Sequence, residues 1–109
     1  MPRITAATTL VAHAGRFGEL LEAVDAMVTA AGAEEGTEAY LVSSVRRAPD
    51  TLLLFEMFRD RAALKAHQAA GADLAARLGP LLARTEVQLG ELIDGTGLGV
   101  TARSGEGSG

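Results

Sequence analysis

The stretch Thr51-Leu52-Leu53-Leu54-Phe55-Glu56-Met57-Phe58 constrains the fold more than any other part of the chain. As a strand it has no polar face to offer to water, so it belongs inside a sheet with cover on both sides. Pro49-Asp50 reads as the turn before it. Upstream, Glu38 to Arg47 alternates, with Ala39, Leu41, Ser43 and Val45 opposing Tyr40, Val42, Ser44 and Arg46. Its polar content suits an edge strand or one beside a wet cavity. One residue breaks the apolar run: Glu56, an acid in a strand built for burial.

Around this hairpin the hydrophobic period changes repeatedly. Arg3 to Ala12 is β-branched, free of breakers and weakly polar on both faces, which predicts a central strand. After the Gly15 turn, Phe17, Leu20, Leu21, Val24, Met27, Val28 and Ala31 follow the spacing of an amphipathic helix, with Gly32 as its stop. Asp60 is the N-cap of a second helix, on which Ala63, His67, Ala70 and Leu74 share a stripe. Gly71 breaks that helix, Asp73 to Leu82 predicts a further short helical piece, and Glu86 to Ile93 alternates as a fourth strand. The order β-α-β-β-α-β predicts an α+β, ferredoxin-like domain over residues 1–94, with a four-stranded antiparallel sheet and helices on one face. The Gly/Ser-rich residues 95–109 read as a flexible tail. The first and third strands are apolar on both faces, so the sheet face without helices needs cover. A second copy packed sheet to sheet, forming a dimeric α/β barrel, supplies it.

Composition excludes several classes of function. The net charge of −4 points away from nucleic acid and anionic membranes. No apolar run approaches the ~20 residues of a membrane helix, and Thr5, Thr8, Thr9 and His13 interrupt any signal-peptide core. The reading is a cytoplasmic protein. The chain has no cysteine, which removes thiolate metal sites, Fe–S clusters and cysteine nucleophiles. With only His13 and His67 and most acids on wet helix faces, no metal is expected. Gly95 to Gly99 has no helix after it, so it reads as tail and not as a dinucleotide loop.

Three residues carry the candidate chemistry. His67 is a titratable ring on a stripe of Ala and Leu. It reads as a general base or as a ring packed near the helix surface on its stem. Glu56 reads as the residue that orients His67, as a base in its own right, or as one half of an ion pair with Arg59, Arg61 or Arg84. Tyr40 reads as a hydrogen-bond donor to a bound oxygen or as an ordinary half-buried strand residue. His13, in a turn, is a surface residue.

Four segments together resemble the antibiotic biosynthesis monooxygenase family, small dimeric α/β-barrel proteins that include quinol monooxygenases and anthrone oxygenases. They are the Gly15 turn, Glu35-Gly36-Thr37 with Tyr40 three residues on, Phe55-Glu56-Met57-Phe58-Arg59-Asp60, and Ala63-Leu64-Lys65-Ala66-His67. The resemblance spans roughly residues 3 to 93. It implies oxidation of an electron-rich phenol, anthrone or quinol by O₂ without cofactor, as in the biosynthesis of aromatic polyketide antibiotics. His67 would move the proton, with Glu56 and Tyr40 beside it. The ring slot would lie between sheet and helices, with Phe58, Phe55, Met57, Leu54 and Thr8 as candidate substrate contacts; alternation along the strand ranks Phe58, on the Glu56 face, first. Haem-degrading relatives carry a Trp near the His67 position and an Asn where Thr8 stands. This chain has neither, which argues against haem degradation. Two other readings of the same fold stay open: a non-catalytic dimeric module that binds a small molecule or serves a stress response, and an isomerase or cyclase using the same base.

Overall fold

A computed structural model describes residues 2–97. The elements are β1 (Ile4–Ala12), α1 (Phe17–Gly32), β2 (Thr37–Val45), β3 (Ala48–Phe58), α2 (Arg61–Ala70), α3 (Ala72–Ala76), a 3₁₀ turn (Gly79–Leu81) and β4 (Leu82–Glu91). They build the ferredoxin-like arrangement, an antiparallel sheet in the order β2-β3-β1-β4. The two least polar strands, β1 and β3, are its centre, and β2 is an edge. The expected tail lies almost wholly outside the described residues.

Register decides what each side chain meets. Ile4, Ala6, Thr8 and Leu10 of β1 stand opposite Phe58, Glu56, Leu54 and Leu52 of β3. Tyr40 of β2 stands opposite Glu56, and Val87 and Leu89 of β4 stand opposite Thr8 and Ala6. These residues share the face that the helices cover. Leu20 and Val24 of α1 pack there on Leu10, Leu52 and Leu54. Ala63 of α2 packs on Ile4, Ala6 and Phe58. Phe58, Leu20, Leu52 and Val24 are fully buried, each contributing about 1.5–3 kcal/mol of transfer free energy. The opposite face carries Leu41, Leu53 and Phe55, all substantially exposed.

Gly15 takes the left-handed conformation its turn needs (φ 79°). The Asp60 carboxylate accepts from the Ala63 N–H at 2.9 Å, capping α2. Four local expectations are corrected. The hairpin turns at Arg46-Arg47, with Arg47 left-handed (φ 65°), and Pro49-Asp50 lies within β3. The β2–β3 register breaks between Ser44↔Leu52 and Val45↔Ala48, so the missing Pro49 N–H takes nothing from the ladder. The helix expected over Asp73 to Leu82 is only the single turn of α3. Pro80 sits in the 3₁₀ turn and the chain is already extended at Leu82, so β4 starts earlier than Glu86. Finally, Gly32 is still helical; α1 closes on Ala33, whose N–H bonds back to Ala30 and Ala31.

Candidate active site

The end of α1 and the start of β2 place a carboxylate that the alternation of the strands does not announce. The Glu34 N–H donates to the Ala31 carbonyl, and the Arg59 N–H donates to the Gly36 carbonyl at 2.9 Å. A Cβ at Gly36 would run into the Ala63 methyl, so only glycine lets this turn lie against α2. The close approach brings Glu34 to His67, one turn further along α2. Glu34 Oε1 lies 2.7 Å from His67 Nδ1 and also accepts the Thr37 hydroxyl at 2.6 Å.

The other ring nitrogen meets the strand acid. His67 Nε2 is 3.2 Å from Glu56 Oε1. The imidazole is thus held between two carboxylates, one from a turn and one from β3. Its plane is fixed by aromatic neighbours: the Phe58 ring centroid is 5.0 Å away and that of Tyr40 5.9 Å. All three charged side chains are largely buried. The hydrogen bond with Glu56 raises the His67 pKa above its ordinary value, burial opposes the rise, and the Glu34 contact adds to it. Burial, then the negative charge of Glu56 and Glu34, pushes the Tyr40 hydroxyl up, so it stays a protonated donor. That hydroxyl is buried with no hydrogen-bond partner among the described residues.

The cluster lines a cavity of about 330 Å³ between the sheet and the helices, at the lower end of the range for small-molecule sites. Its walls are apolar: Ala6, Leu10 and Leu54 from the central strands, Leu64 and Leu74 from the helical side, Val87 and Leu89 from β4. Val87 and Leu89 line the cavity and remain exposed.

The structure therefore gathers His67, Glu56, Tyr40, Leu54 and Thr8 around one space. It does not bring in three of the expected contacts. Phe55 and Met57 alternate onto the opposite face of β3, away from the cavity. Phe58 shares the Glu56 face but lies beneath the His67 ring, fully buried, and supports the ring without lining the cavity. Glu56 lies beside His67 and among the described residues pairs with no arginine; Arg59 reaches Glu35 and Asp60, each at 3.7 Å. Sequence reasoning missed Glu34 as a site residue. Its only signal was its place in the acidic turn before Gly36-Thr37. Glu34 and Glu56 engage opposite nitrogens of one ring, so their oxygens do not converge. Among the described residues no group of three or more His, Asp or Glu side chains is placed to hold a metal ion.

Fold and site together define a ferredoxin-like protein with an apolar cavity lined in part by an acid–imidazole–acid cluster. The chain belongs to the antibiotic biosynthesis monooxygenase family, whose model matches residues 3–77. Among solved structures it is similar to Rv0793 from Mycobacterium tuberculosis, at 26% identity and a TM-score of 0.81, covering 87% of this chain and 99% of that one. It is also similar to a Nitrosomonas europaea protein of unknown function, at 26% identity and a TM-score of 0.76, covering 88% and 94%. A Pseudomonas aeruginosa protein, PA3566, shares the fold at 23% identity and a TM-score of 0.78, covering 85% and 96%. No curated protein matches the chain by sequence.

Proposed function

We propose that this chain is a monooxygenase that oxidises an electron-rich anthrone, phenol or quinol with O₂, the substrate itself supplying the electrons. The observation that carries the proposal is the His67 ring, gripped at Nδ1 by Glu34 and facing Glu56 across a longer contact, in the lining of an apolar cavity. The shorter contact fixes the ring and its tautomer. The longer one is the contact a substrate hydroxyl or acidic C–H can displace, leaving Nε2 as the base.

For an anthrone the steps balance as follows. Nε2 takes one proton from the reacting CH₂, and the Glu34 carboxylate stabilises the imidazolium that forms. The delocalised carbanion passes one electron to O₂, and the radical and superoxide combine into a carbon–oxygen bond. The imidazolium returns its proton to the distal oxygen, giving a hydroperoxide. Loss of the second C–H proton breaks the O–O bond. One oxygen atom stays as the new carbonyl, and the other leaves as water with both hydrogens. Tyr40, a buried donor without a partner among the described residues, is suited to the substrate oxygen on which the anion's charge collects. Leu54, Thr8 and the β4 wall would hold the rings, and the apolar lining keeps water from the anion.

The same proposal includes a homodimer. Leu41, Leu53 and Phe55 form an apolar surface on the open sheet face, and a second copy packed there completes the barrel.

The test is O₂ consumption with an anthrone and with a reduced quinone, no cofactor added, for wild type and His67→Ala. A fall of about 100-fold or more matches loss of a general base. Uptake unchanged by the substitution overturns the role of His67. No uptake with either compound overturns the oxygenase reading and favours a non-catalytic binding module.

A further inference from the structure

The charge of the cavity restricts what can enter it. The ionisable groups lining it are Glu34, Glu56, Tyr40 and His67. Tyr40 is uncharged, and a single imidazolium cannot neutralise two carboxylates. The potential around the cluster is therefore negative whether or not the ring is protonated. No lysine or arginine is among the described residues that line the cavity. The neighbouring cations are committed elsewhere or lie outside it: Arg59 to Glu35 and Asp60, and Arg61 and Lys65 in an adjoining groove that shares Leu64, Gln68 and Leu89 with the cavity. Apart from Thr8 and Gln68 the remaining lining is apolar and solvates an ion poorly.

We infer that the cavity selects uncharged hydroxyaromatic rings and rejects those bearing an ionised carboxylate or sulfonate, because its lining holds two carboxylates around one imidazole and no lysine or arginine to receive an anion. The inference rests on reading this cavity as the substrate site and names the class of ring it takes. A ring carboxylate would lose its water and meet like charge, with only the neutral donors Thr8 and Gln68 beyond those the bound hydroxyl uses. Selectivity here comes from repulsion; the walls contact both kinds of ring alike.

The experiment measures binding, so it does not depend on turnover. The probes are 1,8-dihydroxyanthraquinone and its 3-carboxylate, titrated at pH 7.5 and followed by their visible absorption. Two proteins are compared, the wild type and Gln68→Arg. Gln68 lines the cavity from the exposed side of α2, so the variant adds the missing cation without disturbing the core. The expected result for wild type is binding of the neutral probe at least about 10-fold tighter than the carboxylate. In Gln68→Arg the ratio of the two affinities narrows at least about 3-fold in favour of the carboxylate. Equal binding of both probes by wild type overturns the charge selection and leaves the substrate-site reading standing. Failure of wild type to bind the neutral probe overturns both.

Discussion

Replacing Glu34 by Gln removes a charge from the cluster and little else. The Gln amide oxygen takes the place of Oε1 and accepts from both Thr37 and His67 Nδ1, so the ring keeps its position. Two unit charges about 4 Å apart interact by about 4 kcal/mol at an effective dielectric of about 20. Hydrogen bonds to charged groups contribute about 1.5–3 kcal/mol net and neutral ones about 0.5–1.5. The second comparison already includes desolvation, and it governs here, because His67 and Glu34 keep 14% and 19% of their side-chain surface in water. The expected loss is therefore about 1–1.5 kcal/mol where the ring is charged. The sign follows from the raised His67 pKa. Stability from the imidazolium is fully present below the unfolded value of about 6.5 and is lost as pH rises through the folded value. Urea denaturation of wild type and Glu34→Gln at pH 6 and pH 9, at one protein concentration, should show most of the difference at pH 6 and less than about half of it at pH 9. An NMR titration of the His67 ring should place its midpoint lower in the variant. An equal loss at both pH values, with the midpoint unmoved, would refute the coupling.

The rate should follow the same ring. The rising limb of the pH profile of kcat/KM, which reports neutral His67, should lie above the ordinary histidine range in wild type and move down in Glu34→Gln. Tyr40→Phe removes a buried hydroxyl that has no partner among the described residues; unfolding free energy should change by less than about 1 kcal/mol while kcat/KM falls about 10-fold or more. Gly36→Ala should cost about 1–3 kcal/mol by collision with Ala63, and the added substitution Ala63→Gly should recover part of it in thermal melts. Leu53→Glu on the open face should halve the mass seen by light scattering, and an unchanged mass would remove that face from any interface.

How much of this the sequence disclosed depended on whether the signal was local. The change of period along Arg3 to Ala31 marks β1 and α1 without help from the rest of the chain. Asp60 announced its helix because capping is a matter of neighbouring residues. Pro49-Asp50 misled because turn preference is weak beside sheet pairing, and here a break in the β2–β3 register accommodates the proline. Glu56 and His67 stood out as polar residues on apolar patterns. Glu34 did not, since a glutamate in an acidic turn is ordinary. It becomes part of the site only through the contact of Gly36 with Ala63, a tertiary event with no periodic trace.

The cavity draws its ionisable groups and part of its apolar wall from different elements. Glu34, Tyr40, Glu56 and His67 come from the α1–β2 turn, β2, β3 and α2, whereas Ala6, Thr8, Val87 and Leu89 come from the other pair of strands. Substitutions in β1 and β4 can therefore alter that part of the wall while leaving Glu34, Tyr40, Glu56 and His67 in place, and Val87 and Leu89, exposed and outside the buried core, are the positions where such change costs the fold least.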